Sequence, residues 1–389
     1  CPDGHIKRIF YNSCGHRFCP RCAARMRQKW LLDREPKLLP VRHYHTIFTL
    51  PHTFNTLWHF NPQLMGDLLF HSSVDALKAL LADPRWLGAE VGITVAIETW
   101  DDRMRFHPHL HCMVTGGGLT PEGDWVDVEN PRCLVAVKPL MWEFRKRFCR
   151  GIQQLLQDGN LTLPGDTKQR YWLARIKKIN RQKWAVFIAK QPEDGGPTTD
   201  EIMRYLSKDV AGGPLSGDRV IPKLSKLSAI QLAYLKSTPL SETRLEDASG
   251  DEISFYWGSY DPITQKRKRT NIETLPVAEF LERYLQHVPP AGYQTIRHYG
   301  LYTSAKKTAY EQCAKLLADR KTMPSSDENN DEPIFDNESW IADHTCPVCG
   351  KPLVVTAHLP SSLSGHVVKR PTLGPVIIRF PTPGAFYAS

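Results

Sequence analysis

This chain of 389 residues has no run of 18 apolar residues, so no transmembrane helix is expected. No secretory leader is expected either. The chain opens on Cys1 rather than Met, which leads us to expect a further segment upstream. No Gly-x4-Gly-Lys phosphate loop occurs, so any helicase work falls to another protein. Internal repeats are absent. Acidic residues are scarce near the start: up to Lys29 there are seven Lys or Arg against Asp3 alone. The ten cysteines do not read as a disulfide framework. Several fall into tight groups with nearby histidines, the pattern of reduced, metal-binding thiols, and the expected compartment is the cytoplasm of a bacterium.

The length suffices for two or three domains with a sizeable core. Net charge is +9, and 15 Phe, 13 Tyr and 10 Trp are spread through the chain. Basic charge mixed with aromatic rings suits nucleic acid, single strands above all, although an ordinary basic enzyme fits the charge equally well.

Hydrophobic periodicity divides the chain. Residues 1–35 form a Cys/His module. Val41–Leu50 alternates as a strand, and Asn55–Leu81 has helical period. Gly92–Trp100 and His109–Thr115 read as strands joined by the charged connection Asp101–Arg105. Leu140–Leu156 is an amphipathic helix with Phe144, Phe148, Ile152 and Leu155 on one face. Tyr171–Ile179 and Trp184–Lys190 suggest a β-hairpin, and Thr198–Val210 a short helix. The order predicts an α+β domain over 36–215, an antiparallel sheet with helices packed on it. Residues 216–322 read as a mixed accessory region with a strand at Ile253–Trp257 and helices near Ala278–Gln286 and Ala305–Leu317. Residues 323–345 read as an acidic linker, with seven acids and no Lys or Arg over 325–343, and 346–389 as a Cys-x-x-Cys segment and tail.

The most informative stretch is Phe106-His-Pro-His-Leu-His-Cys112. Strand alternation puts His109 and His111 on one face and Leu110 on the other. Two imidazoles so placed are half of a divalent-metal site. Glu98, at the end of the preceding strand, is the candidate third ligand, because antiparallel neighbours bring cross-strand side chains within reach of one ion. The carboxylate suits Mg²⁺ or Mn²⁺, and imidazole tilts the choice toward Mn²⁺ or another transition metal. His107 is left either orienting substrate or idle. His43-Tyr44-His45 is a second pattern of the same kind, read as a neighbouring strand that touches DNA.

Thr198 and Glu201 have capping-box spacing, so a helix starts there. Tyr205, Lys208 and Asp209 then share a face. A phenol is a poor nucleophile unless a polarised phosphate and a nearby ammonium assist it. Tyr205 and Lys208 are the catalytic candidates.

Cys1-x3-His5 and Cys19-x2-Cys22 are two knuckles with the spacing of a structural Zn²⁺ site. Cys14 and His16 are spare ligands, and the fourth ligand stays open between His5 and Cys14. Arg17, Arg21, Arg25 and Arg27 follow as phosphate contacts. Cys346 and Cys349, with His344 and His358, form either a second site or an empty knuckle. Cys112, Cys133, Cys149 and Cys313 read as packing residues. Lys266, Arg267, Lys268 and Arg269 make a candidate phosphate contact, with a solvated charged loop as the alternative, and Arg297-His298-Tyr299 combines a charge with rings able to stack on bases, with an aromatic core corner as the alternative.

Taken together the motifs resemble a known family, the transposases of IS91-type and ISCR-type insertion elements. They are Cys1-Pro-Asp-Gly-His5, Tyr11-Asn-Ser-Cys14, Cys19-Pro-Arg-Cys22, Phe48-Thr-Leu-Pro-His52, His107-Pro-His-Leu-His111, Thr115-Gly-Gly-Gly118, Tyr205-Leu-Ser-Lys208, Gly212-Gly-Pro-Leu-Ser216 and Ile296-Arg-His-Tyr-Gly300, in the family's order. The resemblance implies an HUH endonuclease palm of ferredoxin or RRM type, single-strand cleavage through a 5′-phosphotyrosine and a free 3′-OH. It makes Tyr205 the nucleophile and gives His109 and His111 the metal. The implied partners are single-stranded DNA, hairpin-bearing element ends and a host helicase, with no membrane. Many such enzymes carry a second tyrosine four residues after the first; here that position is Asp209. A plasmid-type replication initiator or relaxase shares this chemistry. A zinc-dependent DNA-binding regulator without catalysis is the alternative of another class.

Overall fold

A computed structural model describes residues 16–321, apart from 19, 131, 166, 211, 214–219, 222–250 and 261–266. In chain order its main elements are α1 (Pro20–Arg34), β1 (His43–Thr49), α2 (Asn55–Phe60), α3 (Pro62–Leu81), β2 (Gly92–Trp100), β3 (Phe106–Thr115), β4 (Gly117–Leu119) and β5 (Trp125–Asp127). Then come α4 (Val137–Gln157), α5 (Gln169–Ile179), β6 (Ala185–Ile188), α6 (Thr199–Val210), β7 (Val220–Ile221), β8 (Glu252–Tyr260), β9 (Arg267–Pro276), α7 (Val277–Leu285), β10 (Ile296–Gly300) and α8 (Lys307–Lys321).

The central sheet runs β10-β2-β3-β1-β6 with every pairing antiparallel. Alternation decides its two faces. Val95, Ile97, Leu110, Cys112, Val114 and Phe48 point to one side, where Phe70 of α3 and Phe144 and Phe148 of α4 complete the main core. Ala96 and Met113 point to the other side, where Ile202, Met203 and Leu206 of α6 cover them, with Trp30 and Leu31 of α1 at the edge. The protein is thus an α+β sandwich with helices on both faces of one antiparallel sheet. The stretch 55–81 divides into α2 and α3 because Pro62 has no N–H to continue a helix and holds Asn61 at φ −139°, ψ 52°.

Two expectations are corrected. Tyr171–Ile179 is not one limb of a hairpin: it lies in α5, and only Ala185–Ile188 is a strand, paired with β1. Trp172, Ile176 and Ile179 recur at helical spacing, and all three are buried in the main core. Residues 216–322 are not wholly accessory either, since β10 joins the central sheet beside β2. The remaining strands β7, β8 and β9 form their own sheet. It packs through Phe255 and Leu275 on Met104, in the connection between β2 and β3. That connection is held from several sides. The Asp101 carboxylate accepts the N–H groups of Arg103 and Arg105, and Arg103 pairs with Glu273. Met104 sits there at φ 59°, a costly conformation for a side chain with a Cβ.

One buried histidine sets a pH dependence. His43 is 2% exposed, and its Nε2 lies 2.7 Å from the Tyr302 hydroxyl. Burial pushes its pKa down from 6.5 to about 4. The unfolded chain therefore binds the proton first. The contribution of His43 to stability is complete above pH 6.5 and is lost as pH falls toward 4, by up to about 3 kcal/mol. Thermal melts across this window should show the midpoint falling on acidification. His43→Gln should make that slope shallower, the remainder coming from His45, His107, His287 and His298, whose pKa values burial likewise lowers to about 4; an unchanged slope would overturn the assignment.

Candidate metal centre and tyrosine helix

Register brings the candidate ligands together. Glu98 of β2 pairs directly with His109 of β3, and Ala96 with His111. The ligand atoms of Glu98, His109 and His111 all lie within 4.8 Å of one another. Glu98 Oε1 is 3.8 Å from His109 Nε2, and its Oε2 is 3.6 Å from His111 Nε2. Both imidazoles are buried, at 8% and 3% exposure, which suits neutral ligands held away from bulk water. The far nitrogens are engaged too. His109 Nδ1 lies 2.7 Å from the His107 carbonyl, and His111 Nδ1 lies 2.9 Å from His45 Nε2. Such partners fix ring orientation and leave both Nε2 atoms aimed at the carboxylate. Two nitrogens and one carboxylate, oriented in this way, fit a divalent cation with coordination positions to spare.

The tyrosine reaches this cluster. Thr198 Oγ1 accepts the Glu201 N–H at 3.2 Å, and the Glu201 carboxylate accepts the Thr198 N–H at 2.8 Å. This capping box starts α6 at the point the sequence suggested. Tyr205, half-buried, places its hydroxyl 3.3 Å from Glu98 Oε2 and 3.3 Å from His111 Nε2. Lys208 is exposed, with its Nζ 5.4 Å from the centre of the Tyr205 ring.

His45 was read from the sequence only as part of a rival pair, yet it backs His111 and lies 5.6 Å, ring to ring, from Tyr205. The signal was present: in His43-Tyr44-His45 alternation puts His45 on the same face as the HxH, and only strand order makes β1 the neighbour of β3. Burial, then the charge on His109, lowers the pKa of His45 to about 4, so it is neutral at physiological pH.

Asp209 takes a place that sequence did not foresee. One turn beyond Tyr205, it is 1% exposed, and among the described residues its carboxylate oxygens have no hydrogen-bond partner. Burial, and then Glu98, hold its carboxyl well above the usual range against the pull of Arg17, Lys208 and Arg27. Arg17, expected at DNA, instead donates to the Asp209 carbonyl and, at 2.7 Å, to Thr295 Oγ1. Arg27 is half-buried near Asp209. The end of α6 exposes carbonyls that attract cations, and two arginines from the N-terminal region supply them.

Arg297-His298-Tyr299 is likewise committed to the fold. It forms β10, where Arg297 pairs with Asp67 and lies over Phe70. His298 Nδ1 is 3.1 Å from Thr94 Oγ1. Pairing with β2 turns Arg297 toward α3 and Tyr299 toward the main core, the arrangement of the core-corner alternative. Cys112, Cys149 and Cys313 are buried free thiols and Cys133 is exposed. Cys1, His5, Cys14, Cys19, Lys266, His344, Cys346, Cys349 and His358 lie outside the described residues, as do the side chains of Arg21, Cys22, Arg25, Arg267, Lys268 and Arg269.

A family model for a putative transposase matches residues 92–227 and 229–309, and one for a transposase zinc-binding domain of IS91 type matches residues 1–50. The chain belongs to the IS91 family of transposases. The first match contains Glu98, His109, His111 and Tyr205; the second contains Cys1 through Cys22 with Arg17 and Arg27. Putative transposase y4qJ of Sinorhizobium fredii is 29% identical over 373 residues, covering 93% of this chain and 84% of that protein. The transposase for insertion sequence element IS801 of Pseudomonas savastanoi pv. phaseolicola is 29% identical over 304 residues, 77% of this chain and 63% of that protein. No solved structure matches the transposase. Among its described residues no helix is long and apolar enough to cross a membrane.

Proposed function

We propose that this transposase nicks and rejoins single-stranded DNA at insertion-element ends, with Tyr205 as nucleophile. The observation that carries the reading is the Tyr205 hydroxyl within 3.3 Å of both Glu98 and His111. Glu98, His109 and His111 would hold Mn²⁺ or Mg²⁺, which when bound polarises the scissile phosphate and stabilises charge on its oxygens. Tyr205 forms the new P–O bond, the bond to the 3′-oxygen breaks, and the proton ends on that oxygen. The products are a 5′-phosphotyrosine and a free 3′-OH; attack by a 3′-OH reverses the step and releases Tyr205. Lys208, whose ammonium lies over the Tyr205 ring, favours the phenolate. His45 and the His107 carbonyl keep the two imidazoles in position.

In this reading residues 1–35 hold a structural Zn²⁺ through Cys1, Cys19 and Cys22 with His5 or Cys14. Residues 36–215 form the nuclease, with β10 as its added strand, and 216–322 an accessory region. The acidic stretch 323–345 links these to the tail 346–389. Arg21, Arg25 and Lys266 to Arg269 meet phosphates, whereas Arg17, Arg27 and Arg297 serve the fold. Hairpin-bearing ends are the substrate, and a host helicase supplies the single strand in the bacterial cytoplasm.

The test is a labelled single strand bearing an element end, incubated with the full chain and Mn²⁺. A covalent protein–DNA product is expected. Joining between two element ends supports a transposase against a replication initiator or relaxase. No adduct with any end, metal present, would leave a DNA-binding regulator and overturn the reading.

A further inference from the structure

On the edge strand β6, Val186 and Ile188 pack into the main core, while Ala185 and Phe187 turn to the opposite face and are exposed. That is the face carrying the metal cluster. Phe187 pairs with Ile47, and Ile47 pairs with His111, so the three side chains form one row across three strands. At about 4.8 Å per strand, β6 lies about 10 Å from β3. Phe187 is 52% exposed. A large apolar ring on an open sheet edge is a liability that proteins ordinarily suppress.

Near the His111 end of this row is a hollow of about 300 Å³ lined by His45, Glu201, Ile202, Tyr205 and the Gly195-Gly196-Pro197 turn, with the Glu201 carboxylate engaged by Thr198 in the capping box. A void of about 150 Å³ accommodates a benzene ring, so a nucleobase fits. The turn is built to lie flat: Gly195 has φ +82°, and a Cβ on Gly196 would stand 1.6 Å from the Lys190 carbonyl oxygen. Along β6 itself the charge is of one sign. Arg181, Lys183 and Lys190 are exposed, and no acid occurs between Asn180 and Lys190. The next acids, Glu193 and Asp194, are paired with Arg42 and Arg132.

We propose that Phe187 and the adjoining hollow form a subsite for an unstacked base of single-stranded DNA next to the scissile phosphate. Aromatic rings among cations bind single strands by stacking, whereas a duplex keeps its base faces covered. Register sets Phe187 two strands from His111, which the Tyr205 hydroxyl reaches at 3.3 Å, so a base held there positions the strand for attack. This inference rests on the reading of the site as a single-strand nuclease, but its test needs no cleavage.

Full-length Tyr205→Phe protein, with and without Phe187→Ala, is titrated with a fluorescein-labelled oligothymidine and followed by anisotropy. Phe187→Ala should weaken binding about tenfold, the scale of one stacked base. Against an abasic strand of equal length the two proteins should bind alike. Phe187→Trp should retain affinity, and its added fluorescence should be quenched by the single strand and not by duplex. Equal affinity of Phe187→Ala for oligothymidine, or an equal loss on the abasic strand, would overturn the proposal. So would a change in oligomeric state on Phe187→Ala, because the ring would then cover a second copy. A base-dependent effect without any covalent adduct from the Tyr205 protein would sink the nuclease reading and leave the subsite standing.

Discussion

Tyr205→Phe should leave no covalent protein–DNA product. The substitution removes one oxygen from a half-buried ring and with it the atom that would bond to phosphorus. Loss of a nucleophile costs on the order of 10⁴-fold or more in rate. Stability should change by no more than about 1 kcal/mol, because the hydroxyl gives up two long contacts of 3.3 Å to Glu98 and His111. The measurements are adduct formation on a denaturing gel, binding by anisotropy and a thermal melt. A wild-type rate of adduct formation would remove Tyr205 from its role. Peptide mapping of the wild-type adduct should find one modified residue per chain. Asp209, at the position where the family resemblance implies a second tyrosine, is a buried carboxyl near Glu98 and two arginines, and Tyr205 is the one tyrosine of α6.

His111→Ala should abolish calorimetrically measurable Mn²⁺ binding and cleavage together. It removes an imidazole whose Nε2 faces both Glu98 and Tyr205. His109→Ala should do the same, since its Nε2 faces the other carboxylate oxygen. Glu98→Gln keeps the shape of the side chain and removes the negative charge, and it should also lose Mn²⁺ binding. His45→Ala is the graded case. It leaves the three ligands in place and removes the partner of His111 Nδ1, so affinity should fall roughly 10- to 100-fold without vanishing. Circular dichroism of each variant checks the fold. Wild-type Mn²⁺ affinity in His111→Ala would show that the cluster is not the metal centre.

The sandwich was legible where local pattern and packing agree. Strand 92–100 is rich in β-branched residues, 109–115 places its two histidines on one face and Leu110 on the other, α4 carries an apolar stripe, and the capping box announces α6. The segment 171–179 misled, because aromatic and β-branched residues favour strands in isolation. Its packing against α4 made the helical stripe of Trp172, Ile176 and Ile179 decisive.

By itself the sequence determined which side chains share a face: His109 with His111, and Tyr205 with Asp209. These follow from the periods of strand and helix, which are local properties of the backbone. The antiparallel neighbour relation of β2 and β3 also followed, because a short connection permits little else. Strand order decided the rest. β1 beside β3 brought His45 to His111, and β6 beside β1 put Phe187 in the same row. β10 beside β2 drew Arg297 into the fold, and α6 against α1 buried Asp209 beneath Arg17 and Arg27. These contacts join residues far apart in the chain. They depend on how whole elements bury their apolar faces, and no spacing along the sequence encodes that choice.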